Sequence, residues 1–126
     1  MLIYIYFRLD GVQCGLISII LGAVAQYFFK TGVTVISEKT NGGIGEVIKS
    51  GITNLHLWSG MFCYGFSLLL WFYVLSRMEL SRAYPLVSIG YIFTLFLGYF
   101  FLNEALSVTK VAGIVLIVLG VIFLSR

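Results

Sequence analysis

Charge is what this chain has least of. Across 126 residues it carries five acidic and eight basic side chains, 10% in all. A soluble domain has roughly a quarter. That scarcity, with a mean hydropathy of +1.05, excludes a water-bathed globule and makes lipid the solvent. The net charge is only +3, and the basic residues lie between apolar runs. Nucleic acid is therefore not the implied partner; anionic lipid head groups are. Cysteine is nearly absent too. Cys14 and Cys63 both fall inside apolar runs, without CxxC spacing or neighbouring histidines, so neither a metal site nor a cofactor is implied. His56 is the lone histidine, beside Trp58. It reads as an interfacial residue or as a proton relay, although no acid partner is in sequence range. No nucleophile–base–acid set is visible, which argues against an enzyme. One further absence carries weight: no Asp or Glu lies inside any long apolar run.

What is present is organised around a hairpin. An uncharged run ends at Leu75, a short turn carries Arg77, Glu79 and Arg82, and a second uncharged run extends from Ala83 to Leu102. Two such runs joined by a tight charged turn predict a transmembrane helical hairpin. The whole chain, 1–126, reads as one all-α membrane domain. Membrane helices are expected near 11–34, 56–75, 83–102 and 108–125, with a short interfacial helix near 44–52.

The first span is uncharged from Gly11 to Phe29, and Lys30 follows an aromatic belt of Tyr27, Phe28 and Phe29. Met1 to Phe7 is apolar but short and lacks a signal peptide's charge order, so it is an uncleaved tail or the first turns of this helix. Gln26 and Lys30 share one helix face. Lys30 is either an anchor that snorkels to the interface or a cation facing an internal cavity and receiving an anion. Thr40 to Gly43 is turn chemistry. After it Ile44, Val47, Ile48 and Ile52 recur at helical spacing, the pattern of a helix lying in the interface.

Leu57 to Leu75 is long enough to span a bilayer with little tilt. Gly60 and Gly65 offer weak signals of close helix contact. In the third span Pro85 lies within the first turn, or bends the helix if Ser81 is the cap. Tyr84, Ser88, Tyr91 and Thr94 form a polar stripe that serves as interhelical glue or as a substrate path. The last span must begin near Ser107 to cross a core of about 30 Å. Gly113 and Gly120, seven apart, share a face and form a groove for another helix. Basic residues do not set the orientation: Arg8, Arg77, Arg82 and Arg126 share one side, and Lys30, Lys39, Lys49 and Lys110 the other. Only if Lys30 is too deep to count does the balance favour both termini inside.

Several short motifs occur in order: Ala25-Gln26 with Lys30, Leu70-Trp71 with Val74-Leu75, Ala83-Tyr84-Pro85 with Ser88, and Glu104 with Leu106-Ser107. Together they resemble the four-helix members of the drug/metabolite transporter superfamily, and most closely the subunits of the aminoarabinose-phosphoundecaprenol flippase. The resemblance covers about residues 11 to 125 and implies a small inner-membrane protein. Such a protein would pair with a second copy or a paralogous subunit and move a polyprenyl-phosphate-linked sugar, or a similar anionic lipid, across the bilayer. The small multidrug resistance transporters share this architecture. Where they carry a membrane-embedded glutamate this chain has Gly22, and where they carry a tryptophan in the third helix it has Val87. Without a buried carboxylate there is no evident site to exchange a proton for a cationic drug. A phosphate needs cations and hydroxyls instead.

The expected substrate-binding set is therefore Gln26 and Lys30 near one membrane face and Arg82, Tyr84 and Ser88 near the other. Glu104, on the side of Lys30, is either an acid at the start of the last helix or a salt-bridge gate. Gly113 and Gly120 are the expected dimer contact. A proton-coupled exporter of small cations and a non-transporting accessory subunit are the alternative functions.

Overall fold

The structure, a computed structural model, describes residues 1–40 and 43–124, excepting the side chains of 3–9. Asn41 and Gly42 of the expected turn, the side chain of Arg8, and Arg126 fall outside the described residues. Among those described, all regular structure is helical: α1 (Leu2–Lys39), α2 (Ile44–Thr53), α3 (Leu55–Arg77), α4 (Leu80–Leu102) and α5 (Val108–Leu124). Segments of α1, α3 and α4 are long and apolar enough to cross a membrane. α5 is apolar after Lys110 in its first turn but has 17 residues, a rise of about 26 Å.

Three boundaries differ clearly from expectation, the first being the end of α1, which runs to Lys39 rather than 34. α1 begins at Leu2 rather than Gly11, so the N-terminal stretch forms the first turns of the helix. Arg8 and Asp10 do not end it, because arginine and aspartate cost little in a helix interior. α4 begins at Leu80 rather than Ala83. The Glu79 carbonyl accepts the Arg82 and Ala83 N–H groups at 2.9 and 3.0 Å, which makes Glu79 the cap and moves Pro85 into the second turn. There Pro85 offers no N–H to the Ser81 carbonyl. The Ser88 hydroxyl donates to the Pro85 carbonyl at 2.7 Å.

The other ends have identifiable causes. The Asn54 side chain accepts the His56 N–H at 2.9 Å, a helix N-cap, and donates to the Gly32 carbonyl at 3.0 Å. One asparagine thus starts α3 and ties it to α1. The Trp58 indole N–H donates to the Ile52 carbonyl at 2.7 Å, linking α2 to α3. α4 stops where Asn103 takes a left-handed φ of 51°, a conformation asparagine tolerates. Ser107 caps α5, accepting the Lys110 N–H at 3.2 Å.

α1 is the central element. It packs most extensively on α3 and next on α4; α4 meets α3 sparingly, and α5 rests on α4. The α1–α3 seam has a repeat of seven. On α3 the buried residues are Gly60, Ser67 and Val74. On α1 Gly11, Gly15, Ser18, Ala23, Ala25, Gly32 and Ile36 are buried, and all but Ala23 are spaced by fours and threes or their sums. That is the spacing of a knobs-into-holes seam. Ser18 and Ser67 each donate to the other's carbonyl at 2.7 Å. A Cβ on Gly32 would come within 2.8 Å of Leu57, and one on Gly60 within 2.8 Å of the Phe29 ring. Both glycines are therefore required by close approach. Gly65, by contrast, meets nothing within 4 Å, so it takes no part in this packing. Small residues lie inside, while Phe62, Phe100, Phe101 and Phe123 point outward, as expected when lipid rather than water surrounds the protein.

Candidate functional site

The sparse contact between α3 and α4 leaves open space along α1. A cavity of about 500 Å³ lies between α1 and α4, lined by Gln26, Lys30, Thr34, Thr94, Gly98 and Glu104 among others. Gln26 and Lys30 are four apart and face it together. Lys30 Nζ donates to Glu104 Oε1 at 2.5 Å. The two side chains are 58% and 39% exposed, so the pair is open to whatever fills the cavity.

Glu104 reaches this position because α4 has ended. Its N–H turns back to the Gly98 carbonyl at 3.0 Å. Its carboxylate occupies the notch that Gly98 leaves: a Cβ there would stand 3.1 Å from Oε2. The hydrogen bond from Lys30 and the charge of Lys30 hold the Glu104 carboxyl below its ordinary pKa, with a smaller contribution from Lys110. The Lys110 ammonium itself donates to the Ala105 carbonyl at 3.2 Å.

A second cavity of about 470 Å³ continues toward the middle of the bundle between α1, α3 and α4, and shares Ala23, Gln26 and Thr94 with the first. Gly22 and Val87 both line it. A groove of about 410 Å³ between α4 and α5 joins the others at Thr94 and Glu104. Gly113 lines this groove. Gly120 is exposed.

Arg82, Tyr84 and Ser88 lie toward the other end of α4 and do not line the Lys30 cavity. Arg82 faces Glu79 at 3.7 Å on the surface. Tyr84 is exposed with its ring edge-on to Trp71, centroids 6.4 Å apart. Ser88 is buried. Sequence reasoning missed Gly98, Ser18 and Ser67. The signal for the serines was their alignment with the small residues of the α1–α3 seam.

The arrangement is a set of adjoining, largely apolar cavities with a cation and an anion at one end, and among the described residues no acid lines the middle one. A family model of EamA-like transporters matches residues 7–126. The chain belongs to the EamA-like transporter family. With three helices of spanning length it is a multi-pass membrane protein. Among its relatives is a probable 4-amino-4-deoxy-L-arabinose-phosphoundecaprenol flippase subunit ArnF of Shewanella sediminis. It is 35% identical over 90% of this chain and 86% of its own length. A Photorhabdus laumondii protein with the same description is 31% identical over 94% and 98%. The ArnE subunit so described in Pseudomonas fluorescens is 37% identical over 91% and 92%. No solved structure shows a significant match.

Proposed function

We propose that this chain is a subunit of a flippase that carries a polyprenyl-phosphate-linked sugar across a bacterial inner membrane. The observation that carries the proposal is the placement of Lys30. Its ammonium faces the cavity beside Gln26 and holds a carboxylate there, an arrangement suited to exchanging one anion for another. The middle of the path supports the same reading. Gly22 and Val87 leave it free of any carboxylate, so an anionic head group meets no like charge there. The lipid tails can remain in the bilayer while the head group passes, because the cavities open sideways toward the α4–α5 groove.

In this reading the chain is a single four-helix transmembrane domain. α5 is the fourth span and α2 lies in the interface, where its exposed Ile44, Val47, Ile48 and Ile52 meet lipid. Arg82, Tyr84 and Ser88 supply donors at the opposite membrane face. α5 contacts little besides α4, which leaves Gly113 and Gly120 to meet a second copy or a paralogous subunit. Two chains supply the repeats an alternating-access path requires.

The test is transport of a labelled polyprenyl-phosphate sugar in proteoliposomes. Lys30→Ala should abolish flipping without loss of membrane insertion. Wild-type rates in Lys30→Ala would refute the role of Lys30. Proton-coupled export of cationic dyes by the wild type would refute the flippase reading.

A further inference from the structure

A smaller cavity, of about 290 Å³, opens where the last turns of α1 and α2 meet the first turn of α3. It shares no lining residue with the Lys30 cavity. Lys39, Ser50, Thr53, Asn54 and His56 are five of its eight lining residues, and none of the eight is acidic. Lys39 is exposed, with no hydrogen bond or ion pair among the described residues. A lysine at a helix end ordinarily serves the carbonyls left open there. The end of α2 needs no such help. The Thr53 hydroxyl donates to the Lys49 carbonyl at 3.0 Å and reaches the Ser50 carbonyl at 3.4 Å. The Asn54 N–H donates to the Gly51 carbonyl at 3.3 Å, and the Trp58 indole takes the Ile52 carbonyl. The Ser50 hydroxyl is unspent as well. So is the imidazole N–H of His56, whose ring is held by stacking on Phe28 with centroids 6.4 Å apart.

Three unspent donors around a cavity without a carboxylate suit an anion. We infer that this cavity binds the phosphate of an anionic phospholipid, with Lys39 as its counter-ion and Ser50 and His56 as neutral donors. Hydrocarbon at the rim selects a lipid over phosphate dissolved in water. Leu55 lines the cavity and is exposed, and Ile52 beside Thr53 belongs to the exposed apolar face of α2. Acyl chains leaving the phosphate therefore meet apolar side chains, as they do beside an interfacial helix. The lack of an acid selects among head groups. An ammonium on the head group would find no carboxylate, whereas a glycerol head group asks for none. Lys39 belongs to α1, Ser50 to α2 and His56 to α3, so one bound phosphate ties the three helices together. The site stands apart from the proposed transport path, and the inference does not depend on the flippase reading.

Native mass spectrometry of the full chain in detergent reads the binding of single lipids. Titrated with phosphatidylglycerol, the wild type should bind its first lipid at least about ten-fold more tightly than Lys39→Gln does, the scale of one charge-assisted hydrogen bond. Lys49→Gln removes the same charge from a residue of α2 that does not line the cavity, and should stay close to the wild type. His56→Phe keeps a ring against Phe28 and loses the donor, so it should weaken binding less than Lys39→Gln. Phosphatidylcholine should bind the wild type more weakly than phosphatidylglycerol. Equal weakening by Lys39→Gln and Lys49→Gln would mean a general attraction to a basic surface and would overturn the inference. Equal affinity of the wild type for the two lipids would overturn it too. Displacement of the lipid by inorganic phosphate at the same concentration would assign the cavity to the free ion and refute the lipid. The comparison of lipids needs no variant, so a misfolded Lys39→Gln would not remove the test.

Discussion

Lys30→Gln separates two roles for one ammonium. An anchor at the membrane edge would tolerate glutamine, because Tyr27 remains beside it in the belt. A cavity cation would not, because a neutral amide attracts a phosphate far less than an ammonium does. The expected result is a fall in flipping of at least about ten-fold, with insertion unchanged. Arginine at that position should restore part of the activity, keeping the charge but altering its geometry. The Lys30–Glu104 pair also predicts a pH response. The folded-state pKa of Glu104 is lowered from about 4.5, chiefly by Lys30. Its stabilising contribution is therefore complete above the ordinary value and is lost as pH falls through the lowered one. Thermal unfolding in detergent between neutral and acid pH should show this loss in the wild type. Lys30→Ala should be flatter in the same window. Lys30 and Glu104 were legible in the sequence because a charge between apolar runs stands out. Their pairing is a tertiary contact between residues 74 apart, beyond the reach of helical spacing.

Among the elements, the α1–α3 seam makes the sharpest demand. Gly60→Leu would drive a side chain into the Phe29 ring. The expected cost is about 1–3 kcal/mol, read from resistance to denaturing detergent. Gly65→Leu, one and a half turns away on an open face, should cost almost nothing. Equal effects would place the seam elsewhere. The number and order of the helices followed from hydropathy and turn residues alone. The ends did not. Helices continue past the hydrocarbon edge while their backbone ladders can, so Arg8 and Asp10 were poor markers for the start of α1. Leu80 to Arg82 belonged inside α4 because the Glu79 carbonyl takes its first bonds. The seam could have been read from the sevenfold spacing of Gly60, Ser67 and Val74. Among so many apolar neighbours, small residues carry little contrast.

At the scale of the whole molecule, α5 is loosely held. A Cβ on Gly113 or Gly120 would meet nothing within 4 Å, so leucine at both positions meets no wall at its first atom, although at Gly113 it would reach into the α4–α5 groove. Under the proposed pairing, cross-linking in detergent should give dimers for the wild type and monomers for the double variant. Persistent dimers would mean that another surface joins the copies. Gly22→Glu tests the middle of the path. A carboxylate there, near the Ser67 hydroxyl, should suppress transport of an anionic lipid, because the phosphate must pass a like charge in low dielectric.

The reciprocal serine clasp has a mechanical consequence. Two helices that share a sevenfold seam and exchange hydroxyl bonds at its centre behave as one stiff beam. α4 is joined to that beam mainly along α1, and only Met78 and Glu79 separate it from α3. The work of opening is least where the helices touch least, between α4 and α3. In the proposed flippase the beam would serve as the frame and α4 as the leaf, with the Lys30–Glu104 pair as its latch.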